Sequence, residues 1–336
     1  MELTKKDTKM LQGLSVLAMV WLHLFDTNNY QGLFQPLLFI GDLPVSFFLG
    51  QLSDFCVFGF AFCSGYAHML LFEQKDYYKK RLKSLLGLLI NYWIIVILFS
   101  IVSICMGKAD QMPGNVFDFL GTIFLYNIHY NGAWWYMWVY AILIIISPIV
   151  LRFIKRCNPI IALVIIGVFY SFSHYLRVYV QIGFVSSFGL FGVTLSEYLL
   201  GSLVFNVKYF TKIKVVWSKI NPIFRYIIAT GMFCSLFFLR TLLLPNLYFA
   251  VFSGFILVSL FVLVKKPMFI ESFFQYIGVH STNIWLTHMF FYAFPFVNLV
   301  YIMKYPPLVF LLMLLLTITV SYLIKLIQIP LNKLLR

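Results

Sequence analysis

His23 is the residue in this chain whose type and place most directly suggest chemistry. It stands near the end of an otherwise apolar run, Met10-Leu-Gln-Gly-Leu-Ser-Val-Leu-Ala-Met-Val-Trp-Leu-His-Leu-Phe25. An ionisable group inside a bilayer span is costly, so it is a functional candidate by default. Gln12 lies eleven positions earlier. Eleven residues are close to three helical turns, so both side chains share one face, about 16 Å apart. Asp26 falls near the same stripe. It could hold the imidazole tautomer, as an acidic partner does for a catalytic His. The alternative is a packed His that hydrogen-bonds a hydroxyl or carbonyl.

Other ionisable groups interrupt apolar runs. Asp54 and His68 are fourteen apart, again on one helical face. A carboxylate at such depth needs a partner or a raised pKa, and a Tyr or Ser elsewhere would supply a structural one. Glu197 sits within Thr194-Leu-Ser-Glu-Tyr-Leu-Leu-Gly-Ser202. It could be a base, a hydroxyl acceptor or simply a hydrogen-bonded structural Glu. Late in the chain His280, Asn283 and Thr287 share one face, and Ser281, Trp285 and His288 another. His288 is either a site residue or a buried bridging His.

Two polar segments flank the apolar ones. Asp76-Tyr-Tyr-Lys-Lys-Arg-Leu-Lys-Ser84 reads as a basic loop. Lys79, Lys80, Arg81 and Lys83 could hold a polyphosphate, or could be a topology signal resting on anionic headgroups. His129-Tyr-Asn-Gly-Ala-Trp-Trp-Tyr-Met-Trp138 is a dense aromatic group. It reads as an interfacial anchor or as a platform on which Trp134 or Trp135 stacks a sugar face.

The elements that position these groups are membrane helices. Residues are 62% hydrophobic, 20% aromatic and 11% charged, against about 25% charged in a soluble domain. Several apolar runs are long enough to cross a core of roughly 30 Å. The expected fold is an all-α polytopic transmembrane bundle with about ten spans: 10–26, 45–72, 84–106, 133–151, 159–176, 186–206, 223–240, 246–264, 280–300 and 306–329. A piece at 117–128 is too short to cross and reads as re-entrant. With the amino terminus inside, 21 Lys and Arg fall on the cytoplasmic side. Only Lys108, Arg177, Arg240 and Lys304 fall outside, which places both termini in the cytoplasm. The first helix reads as a retained signal anchor. No segment is long enough for an appended soluble domain, so residues 1–336 read as one integral-membrane domain.

The net charge of +14 is spread in short clusters between spans, which argues against a nucleic-acid partner. Cys56, Cys63, Cys105, Cys157 and Cys234 show no CxxC spacing, so neither a disulfide framework nor a metal site is expected.

Several pieces together resemble the acyltransferase 3 family of bacterial membrane O-acyltransferases. They are Gln12-Gly through His23, Phe58-Gly-Phe-Ala-Phe-Cys-Ser-Gly-Tyr66, Tyr78-Lys-Lys-Arg-Leu-Lys83, Trp134-Trp-Tyr136, and Ser281-Thr-Asn-Ile-Trp-Leu-Thr-His288. The resemblance runs end to end, and the order of the motifs makes it specific. Where the family has a basic residue this chain has Gln12, so that role is either absent or filled by Lys9 one turn earlier. The resemblance implies a bacterial cytoplasmic membrane enzyme. It would move an acyl group, foremost acetyl, from acyl-CoA to a hydroxyl of a capsular, exopolysaccharide or lipid-linked envelope glycan. His23 would be the base on that hydroxyl or the acyl carrier, and Lys79 to Lys83 would hold the CoA phosphates. Acetyl-CoA would be a co-substrate, with no metal. A transporter or flippase for a lipid-linked glycan is the reading from another class; it would use the same polar seams as a path, and no inverted repeat supports it.

Overall fold

The computed structural model describes residues 2–180, 182–243 and 247–334; the cytoplasmic charge expected at Arg336 lies outside them. Helices dominate. In chain order they are α1 (Lys5–Phe25), α2 (Val45–Leu52), α3 (Cys56–Leu71), α4 (Tyr77–Cys105), α5 (Val116–Ile123), α6 (Trp135–Arg156) and α7 (Pro159–Tyr179). Then come α8 (Gly183–Asn206), α9 (Tyr209–Ser218), α10 (Pro222–Leu242), α11 (Leu247–Leu263), α12 (Met268–Thr287), α13 (Met289–Tyr292) and α14 (Pro306–Leu334). A two-stranded hairpin pairs Phe39–Ile40 with Leu43–Pro44.

Among the described residues, eight helical stretches are long and apolar enough to cross a membrane, and Tyr248–Leu263 is a shorter apolar helix. The chain is thus an all-α polytopic bundle. The short piece after residue 116 is indeed one 8-residue helix. The span expected at 280–300 is a correction. The helix there is Met268–Thr287, and only a 4-residue turn, Met289–Tyr292, follows. Pro295 cannot continue a helix and biases its predecessor away from helical backbone. The segment 280–300 is apolar, but the helix that enters it starts twelve residues earlier than expected, at Met268. The basic segment at 79–83 is also not a loop: α4 begins at Tyr77 and carries all four cations in its first turns.

The chain packs as two units. Residues 1–22, 48–77 and 145–279 make unit 1, and residues 23–47, 78–144 and 280–336 make unit 2. Lipid tails are as apolar as Leu, so close packing holds membrane helices together rather than transfer from water. In unit 1 small residues permit that packing. A Cβ on Gly65 would collide with the Tyr198 carbonyl, and one on Gly201 with the Phe62 carbonyl, so α3 and α8 meet backbone to backbone. The Ser202 hydroxyl bridges the same crossing, donating to Gly65 O at 3.0 Å. Gly13 and Gly278 do the same for α1 and α12, against the Phe274 and Lys9 carbonyls. His68 is part of this scaffold: its Nδ1 lies 2.9 Å from the Tyr198 hydroxyl.

In unit 2 side-chain donors capture carbonyls that helix ends leave open. Tyr92 and Trp93 on α4 donate to the carbonyls of Thr122 and Ile123 at 2.8 and 3.0 Å, fixing the end of α5. Phe99 stacks on Phe290 with ring centroids 3.9 Å apart.

Candidate active site

Unit 2 brings His23 and His288 together. His23 Nδ1 lies 2.7 Å from His288 Nε2. The ring centroids are 4.9 Å apart and the planes 13° apart. His288 is fully buried. The span expected at 280–300 would put His288 near the start of its helix. With α12 beginning at Met268, His288 instead follows the last turn of a 20-residue helix, about 30 Å along it. His23 is likewise in the last turn of α1.

The tautomers follow from the partners. His288 Nδ1 lies 2.8 Å from the Trp285 carbonyl. A carbonyl only accepts, so this nitrogen carries the proton. Neutral His288 then has a bare Nε2, which accepts from His23 Nδ1–H. His23 Nε2 is left unprotonated and able to take a proton. His288 therefore does for His23 what the sequence reading assigned to Asp26. Asp26 lies just beyond α1 and is exposed.

A staple holds His288 in place. Trp134 Nε1–H and the Asn131 side-chain amide both donate to the Leu286 carbonyl, at 3.0 and 3.1 Å. Trp285 Nε1–H donates back to the Ala133 carbonyl at 2.9 Å. Trp134 is fully buried and serves as a strut. Trp135 is half-buried, packed edge-on against Tyr136. The Tyr301 hydroxyl donates to the Leu24 carbonyl at 3.0 Å and secures the end of α1 beside His23.

Along α12 a buried polar track precedes His288. Asn91 on α4 donates to Asn283 Oδ1 at 2.6 Å, and Asn283 donates to the Ser321 hydroxyl at 2.9 Å. Ser321 also meets His280 Nδ1 at 2.8 Å, with Lys325 Nζ 3.5 Å from the same nitrogen. Asn91 Oδ1 is buried with no hydrogen-bond partner among the described residues. Lys80, Ser84, Gly87 and Asn91 share one stripe of α4, spaced i, i+4, i+7 and i+11. Gly87 has open space where a side chain would be. Lys79, Lys80 and Lys83 are exposed and Arg81 half-buried. They ring the start of a helix whose free N–H groups also favour an anion.

The remaining expected residues belong to unit 1. Gln12 is paired with Lys9, whose ammonium donates to Gln12 Oε1 at 2.9 Å. The position where the family has a cation thus has one within hydrogen-bond reach. Asp54 is ion-paired with Arg240 at 2.6 Å. Arg240 had been read only as a topology charge, yet it is 3% exposed. Glu197 is buried near both Asp54 and Arg177, whose charges act on it. Neither arginine was legible as a site residue, because helical spacing within one run says nothing about a partner on another.

Comparison with curated proteins and with solved structures gives no match. One family model does match, and it covers residues 8–326, nearly the whole chain and both units. That model is the acyltransferase domain of the acyltransferase 3 family, and with such coverage the chain belongs to this family of membrane acyltransferases.

Proposed function

We propose that the protein is a membrane O-acyltransferase that moves an acyl group, acetyl foremost, from acyl-CoA to a hydroxyl of an envelope glycan. The observation that carries this is the bare Nε2 of His23, oriented by the 2.7 Å bond to His288. As the glycan oxygen attacks the thioester carbonyl, His23 Nε2 accepts the hydroxyl proton. Collapse of the tetrahedral intermediate breaks the carbon–sulfur bond. The leaving thiolate then takes the proton from His23, and free CoA and the O-acyl ester result. The imidazolium that forms in between keeps its Nδ1–H bond to His288.

The basic start of α4 supports a phosphorylated donor, because four cations and a helix N-terminus gather at one point. Asn91 lies eleven residues further in, roughly 16 Å along the helix. A thioester arm entering beside Gly87 would meet the Asn91 and Asn283 amides before reaching His288. The Asn91 and Asn283 amides, 2.6 Å apart, support this route for the donor.

The deciding experiment follows labelled acetyl from acetyl-CoA to de-acylated envelope polysaccharide with the purified protein in lipid nanodiscs. Label on the polysaccharide, lost in His23→Ala, is expected. Transfer that persists at full rate in His23→Ala would remove His23 from the mechanism. Movement of lipid-linked glycan without use of acetyl-CoA would make the protein a flippase instead.

A further inference from the structure

Two arginines at the end of α6 have no part in the His23 chemistry. Arg152 and Arg156 are one helical turn apart, so both side chains leave the same face of α6. With Ile149, Phe153 and Cys157 they line a recess of about 460 Å³ on unit 1. Both arginines are exposed. The neighbouring Lys155 is already paired with Glu73.

The ordinary roles of such cations are filled by other groups. Cations near a helix C-terminus commonly bond its last carbonyls. Here the Phe153 carbonyl accepts from the Cys157 N–H at 2.9 Å, and the Ile154 carbonyl accepts from the Asn206 amide at 3.3 Å. Arginines also pair with carboxylates. Among the described residues, however, neither Arg152 nor Arg156 makes an ion pair or a hydrogen bond. Two free guanidinium forks thus border one recess, and each has donors spaced for two oxygens of a phosphate.

The apolar wall says what carries the phosphate. Ile149 is 72% exposed and Ile145, one turn earlier on the same stripe, is 52% exposed. Arg156 lies eleven residues beyond Ile145, roughly 16 Å along the helix. That is about half of a hydrocarbon core of roughly 30 Å, the depth of one leaflet. An apolar strip of that length ending in two guanidiniums matches a phospholipid, with its chain on the isoleucines and its phosphate on the arginines. A soluble phosphate would leave the strip unused. A water takes roughly 30 Å³ of the liquid, so the recess has room for a phosphate together with its glycerol. Two cations without an acidic partner favour a lipid of net negative charge over a zwitterionic one. Under the positive-inside rule this end of α6 lies in the cytoplasmic leaflet.

We propose that the end of α6 is a binding site for an anionic phospholipid. Arg152 and Arg156 clasp its phosphodiester, and an acyl chain lies along Ile149 and Ile145. The site does not depend on the acyl-transfer reading.

The test uses the full-length protein in neutral detergent micelles and reads the rise in melting temperature with added lipid. Phosphatidylglycerol is expected to stabilise the wild type, and phosphatidylcholine much less. Arg152→Gln combined with Arg156→Gln should weaken the apparent Kd for phosphatidylglycerol about tenfold or more. Arg152→Lys combined with Arg156→Lys should weaken it too, because lysine keeps the charge but loses the fork. Lys212→Gln combined with Lys219→Gln removes two charges from other exposed positions and should leave the Kd unchanged. All of these side chains are exposed, so folding should survive in each variant. Equal Kd in wild type and both arginine variants overturns the proposal. An equal loss in the Lys212 and Lys219 variant also overturns it, since net charge and not a site would then attract the lipid. Pyrophosphate is the soluble probe. If it stabilises the wild type as strongly, and the arginine variants lose that effect, the occupant is a free phosphate and the lipid assignment fails.

Discussion

His23 and His288 form a directed pair: His23 Nδ1–H donates to His288 Nε2 at 2.7 Å, and His288 Nδ1–H donates to the Trp285 carbonyl at 2.8 Å. The carbonyl can only accept, so it sets the proton position on both rings. His23 is thereby kept as the Nδ1–H tautomer without a carboxylate. The device suits a membrane interior, where an unshared negative charge is expensive.

If His288 acts only through the His23 tautomer, the two residues behave as one unit. His23→Ala and His288→Ala are each expected to lower kcat about 10²–10⁴-fold, the range of a lost general base. The double variant is expected to fall no lower than His23→Ala alone, because groups that act together are not additive. Steady-state acetyl transfer to polysaccharide measures this. A double variant well below both singles would mean separate roles.

The cations at the start of α4 are expected to act on the nucleotide part of the donor. Lys80→Ala and Arg81→Ala should raise KM for acetyl-CoA severalfold, with an effect that shrinks as salt rises. An acetyl thioester lacking the nucleotide should show equal KM in wild type and variants. Equal losses with both donors would return the cluster to a role in topology.

The Asp54–Arg240 pair is expected to be far more sensitive to losing one partner than to losing both. Arg240→Ala leaves the part-buried Asp54 carboxylate without its guanidinium and should cost about 3 kcal/mol. Asp54→Leu combined with Arg240→Met should regain most of that. Chemical denaturation in mixed micelles reads the difference, and equal loss in the single and double variants would refute it.

Glycine positions give a paired control on packing. Gly65→Val drives a side chain into the Tyr198 carbonyl and should destabilise by about 1–3 kcal/mol. Gly87→Ala points into open space and should stabilise α4 by up to about 1 kcal/mol through helix propensity. Melting curves of the two proteins in nanodiscs should move in opposite directions.

Hydropathy and charge were enough to identify an all-α membrane bundle, because a bilayer demands long apolar helices whatever their neighbours. They also singled out His23, Asp54, Glu197 and His288, since each is a polar interruption of an apolar run. The order of the motifs carried the family. Partners were not legible: Asp54 with Arg240, Gln12 with Lys9, His23 with His288. Helical periodicity reports which residues share a face within one helix, whereas pairing depends on how distant segments pack. The 280–300 span shows the same limit. Its apolar content was evident, but the helix starts at Met268, and Pro295 keeps helical backbone from running on to residue 300. That tertiary decision moved His288 to the far end of α12, where it could meet His23.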